Sequence, residues 1–232
     1  KGICSNIIKQ GVHREKVIHL PNAVNTEVFR PETDRLEGRR HLGVQSEFLV
    51  VYYGTVGLAQ GLDIILDAAK MFLDGNVQFM IIGEGAEKER LAIRADQEKI
   101  TNLQLLPLQP RDKMPSIVNA ADVVLVCLRN EDLFEGAIPS KLLEAMACAR
   151  PIVLVAHGES VRLLDEASSG ISVDPGSQDL LVQAIIKLKD NKQVARDMGN
   201  NGRDFVVGNL MRSSLTKELE GILLGLLAVK KC

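Results

Sequence analysis

Between residues 48 and 155 the chain repeats one arrangement: a largely apolar run, a loop bearing glycine or proline, then a helical stretch. Phe48–Tyr53 (FLVVYY) passes through Gly54–Gly61 into Leu62, Ile65, Leu66, Ala69, Phe72 and Leu73, the stripe of an amphipathic helix. Val77–Ile82 passes through Gly83-Glu84-Gly85 into a charged helix over Ala86–Lys99. Leu103–Leu106 precedes a short helix over Lys113–Ala120, Val123–Leu128 precedes Phe134–Pro151, and Ile152–Ala156 precedes a helix over Glu159–Ala167. Runs that are apolar at every position belong to strands buried on both faces, as in a parallel sheet covered by helices. With a last short strand at Ile171–Val173, the pattern predicts an α/β fold. It is a doubly wound, mainly parallel sheet of about six strands with helices on both faces.

The flanks are less regular. Val17–Leu20 reads as a short strand ended by Pro21-Asn22, Ala23–Pro31 as a loop, and Thr33–Gly43 as a surface helix or tether. Ser177 is placed to cap a helix over Gln178–Lys189. Gln193–Val229 carries no strand signal, and its last part (LTKELEGILLGLLAV) reads as an amphipathic helix for packing, its polar face not especially basic. The first residues, GICSNIIKQGV, look like the end of a helix running into a turn at Gly11. With Lys1 rather than Met at the start, they imply an upstream domain outside this sequence.

Composition narrows the function. Lys plus Arg number 28 and Asp plus Glu 30, so the net charge of −2 offers no basic excess for nucleic acid. An anionic ligand would have to be held by local groups. Cys4, Cys127, Cys148 and Cys232 lack metal-ligand spacing and read as free thiols of a reducing compartment. His13, His19, His41 and His157 show no ligand spacing either, no serine-hydrolase elbow is present, and no apolar run is long enough to span a bilayer.

Three stretches fall where such a sheet places ligands, at the carboxyl ends of its strands. In Gly54–Gly61 the glycines allow close backbone approach, and the next helix offers unpaired N–H groups to a phosphate. The spacing is neither that of a dinucleotide fingerprint nor that of a P-loop, and an ordinary turn fits as well. Gly83-Glu84-Gly85 reads as a tight turn whose backbone borders the same cleft. In Phe134–Pro151, Pro139 restricts the approach, Ser140 is the expected N-cap, and Leu142, Leu143, Met146 and Ala147 make the buried stripe of a helix over Lys141–Ala149. Ser140 and Glu144, four apart, share another face, directed along the mouth of the sheet. A carboxylate there can accept two hydrogen bonds from a vicinal diol, each worth roughly 1.5–3 kcal/mol. Lys141 and the amides near Ser140 can take a diphosphate. The alternative is that Lys141 and Glu144 form a solvated surface pair.

Taken together, these segments resemble the donor-binding half of family 4 glycosyltransferases of the GT-B fold. The likeness begins at PNAVNTEVFRP (Pro21–Pro31) and continues through YYGTVGLAQGLDIILDAA, IIGEGAEKERL, NLQLLPLQPRDKMPSIVNAADVVLVCL and PSKLLEAMACARPIVL. It ends in SSGISVDPGSQDLLVQAI and MGNNGRDFV, near residue 207. The resemblance implies two Rossmann-like domains facing across a cleft, with the nucleotide-sugar, a UDP-sugar above all, on the C-terminal one. It implies transfer with retention of configuration, no cofactor and no metal. It also implies that the acceptor, a glycan or a lipid-linked glycan, lies on the N-terminal domain, with the whole enzyme cytoplasmic or peripheral at the inner membrane face. Residues 1–20 would then end the N-terminal domain and linker, 21–208 form the donor domain, and 209–232 a helix packing on either.

Carried over by position, Glu144 matches the second Glu of the family's E-x7-E motif, which holds the ribose hydroxyls. The first falls on Gly136, with Glu135 one position off. The variant I-P-S-K-x-x-E resembles a branch acting on amino or deoxy sugars of bacterial surface polysaccharides, in which Ile138, Pro139, Ser140 and Lys141 contact sugar and diphosphate. Gln60 stands where many members carry a phosphate-binding Lys, which makes Lys141 the substitute. Ala149 stands for a usual glycine and Asn25 for a usual Asp. The donor site implied is thus Gly54, Thr55, Gly57, Gln60, Gly61, Gly83, Pro107, Leu108, Glu135, Gly136, Ala137, Ile138, Pro139, Ser140, Lys141, Leu142 and Glu144, with Pro107-Leu108 bordering the base. A UDP-sugar 2-epimerase on the same fold, or a binding module without catalysis, are the alternatives.

Overall fold

The computed structural model describes residues 2–32, 35–44, 46–131 and 134–229, and no side chain beyond 227. Its six strands are β1 (Phe48–Tyr53), β2 (Val77–Ile82), β3 (Leu103–Leu106), β4 (Val123–Cys127), β5 (Ile152–Val155) and β6 (Gly170–Val173). All pair in parallel, in the order β3-β2-β1-β4-β5-β6. The largely apolar runs explain this: β2, β4 and β5 are buried at every position, and β1 at all but its first. Side chains alternate across the sheet and supply two cores. On one face lie α5 (Met114–Ala120), α6 (Ser140–Ala147), α7 (Glu159–Glu166) and α9 (Lys192–Asn209), with α2 (Arg35–His41) beside α5. On the other lie α3 (Asp63–Ala69), α4 (Lys88–Gln97) and α8 (Gln178–Asp190).

Several expectations are corrected. Val17–Leu20 is not a strand: it joins neither edge of the sheet, β3 or β6, and Ile18 is exposed. Ser140 is not the N-cap but the first helical residue; Pro139 takes the cap position at φ −62° and ψ 137°, with no side-chain cap bond. Its fixed φ already suits the turn into the helix. Ser177 stands at the cap of α8 without a side-chain bond. Ala149 adopts φ 52°, a left-handed conformation that a glycine would take without strain. Asn25 holds its own loop, its Oδ1 accepting the amides of Glu27 (3.1 Å) and Val28 (3.2 Å).

The described flanks are α1 (Gly2–Lys9), turning at Gly11 with φ 98°, and α10 (Arg212–Val229). Val24 bridges Met211: its amide donates to Leu210 O (3.0 Å) and its carbonyl accepts from Arg212 (2.9 Å). Cys127 and Cys148 are free and buried, Cys4 is free, and Cys232 lies outside the described residues. Among the described residues no helix is long and apolar enough to cross a membrane, and no group of three or more His, Cys, Asp or Glu could hold a metal ion.

Candidate functional site

The sheet reverses its winding between β1 and β4, so the loops leaving these strands part to opposite sides and open a crevice. The loops after β1 and β2 are sewn together there: Gly54 N–H donates to Ile82 O (2.9 Å) and Val56 N–H to Glu84 O (2.8 Å). At Gly83, with φ 157°, a Cβ would fall 1.8 Å from the Gly54 carbonyl oxygen, so no other residue fits. A Cβ at Gly54 (φ 117°) would stand 3.0 Å from the Lys141 ammonium. These two glycines place a bare backbone at the mouth, beside the start of α6.

α6 carries the two charges singled out in the sequence. Leu142, Leu143, Met146 and Ala147 are fully buried, anchoring the helix to the sheet. Glu144 is only 4% exposed, while Ser140, on the same face, is exposed. Ser140 at the start of α6 is open to solvent, whereas Glu144 one turn on is covered, so one face meets two environments. Glu144 Oε1 accepts from Arg111 Nη2 (2.7 Å), and the Tyr53 hydroxyl lies 3.2 Å from Oε2 and 3.1 Å from the Lys141 carbonyl. Arg111, in the turn after β3, is exposed, with its guanidinium 5.2 Å from the centre of the Phe29 ring. Burial, and then the Glu144 charge, push the Tyr53 phenol well up, so it stays protonated and donates.

Lys141 reaches the opposite way. Its Nζ donates to the Tyr52 hydroxyl (2.8 Å) and stands 4.1 Å from the centre of that ring. Burial lowers its pKa to about 8, against the opposing pull of Cys127 and Glu144. Among the described residues no carboxylate lies within ion-pair distance of it. A surface pair of Lys141 and Glu144 is therefore ruled out: Glu144 is buried and pairs with Arg111, and Lys141 turns to Tyr52.

The other predicted residues divide into groups. Thr55 offers its carbonyl to Tyr52 (2.5 Å). Gln60 Oε1 accepts the Gly57 amide (3.1 Å), so this side chain locks its own turn rather than reaching out as a lysine would. Gln60 and Gly61 line a separate cavity of about 560 Å³ with Arg129 and Pro175. Pro107 and Leu108 are exposed beyond β3. Ala137 and Ile138 pack on the core below the loop, and Asn22 Nδ2 reaches Ile138 O (3.4 Å). Leu142 faces away: its side chain is fully buried, and its amide donates to Pro139 O (3.0 Å). Glu135 and Gly136 lie elsewhere, in a cavity of about 810 Å³ shared with α1, His157 and Arg162. The Glu135 carbonyl accepts from Glu159 (2.7 Å), which fixes that loop to the start of α7.

Sequence reasoning missed Arg111, Tyr53 and Tyr52. Both tyrosines of the chain end β1 side by side and so point to opposite faces, Tyr53 to Glu144 and Tyr52 to Lys141. That adjacency was the available signal. Arg111 carried none beyond its place in the loop after a strand.

The family profile described as "Glycosyl transferases group 1" matches residues 34–205. The chain belongs to this family. It is 29% identical over 214 residues to an Escherichia coli protein named colanic acid biosynthesis glycosyl transferase WcaI, covering 88% of this chain and 52% of that one. It is 24% identical over 198 residues to the Escherichia coli UDP-Gal:alpha-D-GlcNAc-diphosphoundecaprenol alpha-1,3-galactosyltransferase, covering 83% and 50%. The chain thus spans about half the length of the curated relatives it matches. Among solved structures, Anabaena HepE in complex with UDP-glucose superposes with a TM-score of 0.83 at 18% identity, over 96% of this chain and 61% of that one. The fold is the Rossmann-like half expected from the sequence.

Proposed function

We propose that this chain is the donor-binding half of a retaining glycosyltransferase of polysaccharide biosynthesis, and that its donor is a UDP-sugar. The observation that carries this is the pairing, on one short helix at the switch point, of a buried carboxylate and an ammonium that has no carboxylate within ion-pair distance among the described residues. A carboxylate has about four lone-pair sites, so Arg111 and Tyr53 leave about two free for a ribose diol. Arg111 and Tyr53 also fix the direction in which those lone pairs point. Lys141 and the amides at the start of α6 receive the diphosphate, with the Gly54 turn giving it room. Charge builds on that diphosphate as the glycosidic bond breaks, and donors held ready in place stabilise it. Relatives whose names include UDP-Gal and diphosphoundecaprenol, or that are held with UDP-glucose, support UDP as the carrier and a lipid-linked glycan as the acceptor. Such an acceptor would place the working enzyme at the inner membrane face.

Calorimetric titration of the chain with UDP, 2′-deoxy-UDP, GDP, ADP and TDP tests this. UDP binds most tightly, and loss of the 2′-hydroxyl weakens binding roughly tenfold or more, as expected for a hydrogen bond to a charged group. Equal affinity for UDP and its deoxy analogue would remove Glu144 from the ribose role.

A further inference from the structure

Lys141 belongs to a helix on one face of the sheet, yet its ammonium rests on a residue of the other. α6 packs in the core formed with α5 and α9, as does Tyr53, whereas Tyr52 belongs to the core formed with α3, α4 and α8. To meet Tyr52 the lysine must cross the carboxyl end of β1. It does so past Gly54, where any side chain would stand 3.0 Å from the ammonium. At the far side it finds two contacts on one residue: the hydroxyl oxygen at 2.8 Å and the ring centre at 4.1 Å. The hydroxyl is itself oriented, because its proton goes to the Thr55 carbonyl at 2.5 Å and its lone pair is left to face the lysine. Tyr52 is fully buried and cannot swing aside.

We infer that Tyr52 is a positioning residue of the anion site, holding the Lys141 ammonium across the end of β1 at the Gly54–Thr55 turn, where it receives the donor's diphosphate. The inference rests on the donor-site reading and adds to it a part that touches no ligand. A free lysine carries considerable rotamer entropy, which binding must otherwise overcome. Tyr52 removes that disorder beforehand. It also supplies a ring face that tolerates a cation without neutralising it, as a carboxylate would. The ammonium stays fixed, and its charge stays available.

Titrating wild type, Tyr52→Phe, Lys141→Met and the double variant with UDP and with uridine decides the matter. Tyr52→Phe keeps the ring and loses the hydroxyl; it weakens UDP roughly three- to tenfold, the span of one modest hydrogen bond, and leaves uridine unchanged. Lys141→Met weakens UDP further, and Tyr52→Phe adds nothing in that background, since the two act as one unit. Equal losses for UDP and uridine in Tyr52→Phe, no loss at all, or the same loss with and without Lys141 would each overturn the inference while leaving the donor site standing. Wild type that binds neither ligand would overturn the donor site and this inference together. A second readout needs no change at Tyr52. The chain has two tyrosines and no tryptophan, so in Tyr53→Phe the near-ultraviolet tyrosine band reports Tyr52 alone. Inorganic pyrophosphate, which is transparent there, shifts that band on binding; a band unmoved at saturation, or no pyrophosphate binding, counts against the inference.

Discussion

Two groups of charges in this molecule are built on opposite plans. On the outer face of α3 and α4, Arg90 and Asp63 meet at 2.6 Å, Arg94 binds Asp63, Asp67 and Glu98, and Lys70 bridges Asp67 and Glu98. Each cation has at least two carboxylates. The Asp63 carboxyl is held down to about 2, first by its hydrogen bond from Arg90, and Arg90 and Arg94 are pushed up, first by the bonds they donate to Asp63 and Glu98. At the mouth of the sheet the direction reverses: Lys141 is lowered, because burial outweighs the charges near it. A network that serves the fold makes its ions more comfortable than they would be in water. The mouth keeps one ion less comfortable, and on the donor-site proposal an arriving anion would relieve it.

The sharpest way to break this contrast is at Glu144. Glu144→Ala is expected to weaken UDP roughly ten- to a hundredfold, the worth of hydrogen bonds to a charged group, as measured by titration calorimetry. Its effect on folding should be small, since Arg111 is already exposed and the Tyr53 hydroxyl keeps the Lys141 carbonyl. A variant that unfolds while the remaining folded fraction binds UDP normally would make Glu144 a structural ion like Asp63.

Lys141→Met should separate binding from stability. UDP affinity falls, while resistance to urea at pH 7 is unchanged or rises by about 1–2 kcal/mol, because an apolar side chain of similar volume replaces a desolvated charge. The pH dependence follows from the lowered pKa. The folded state releases this proton near pH 8, whereas an unfolded lysine keeps it to about 10.4. The unfolded state therefore binds more protons in that window, and this group makes stability rise with pH between the two values. UDP affinity moves the other way, falling above about pH 8 as the ammonium is lost. A Lys141→Met protein with wild-type UDP affinity would break the comparison outright.

The smallest effect is expected in the network. Asp63→Asn should cost under about 1 kcal/mol, because these side chains are a quarter to a half exposed and solvent screens them. The Asp63 contribution is present above the ordinary carboxyl pKa and is lost as pH falls from about 4 towards 2. UDP affinity should not change, and chemical denaturation at pH 7 and pH 3 in low and high salt measures the rest.

How much of this the sequence disclosed differs by scale. Strands were legible almost to the residue, because β1, β4 and β5 are apolar runs bounded by polar loops, and burial on both faces demands such runs. Val17–Leu20 is also largely apolar and is not a strand, since pairing depends on where the fold carries a segment, which no local pattern encodes. At the site, Lys141 and Glu144 were visible as polar residues on an apolar helix. Their partners were not: Arg111 is 33 residues from Glu144 and Tyr52 is 89 from Lys141. Gln60 was read as a departure from a phosphate ligand, and the structure gives it work of its own, closing the turn at Gly57.

The bridge between Val24 and Met211 has an engineering consequence. The backbone running into the sheet domain and the backbone running out are hydrogen-bonded to each other at a single point. Everything between residues 24 and 211 is therefore a closed excursion of the chain, beginning and ending at adjacent atoms. Segments with neighbouring ends are the ones that tolerate transplantation into a host loop or permutation of their termini. Spliced through that seam into an unrelated carrier, the domain would bring its crevice with it and leave both of its flanking helices behind.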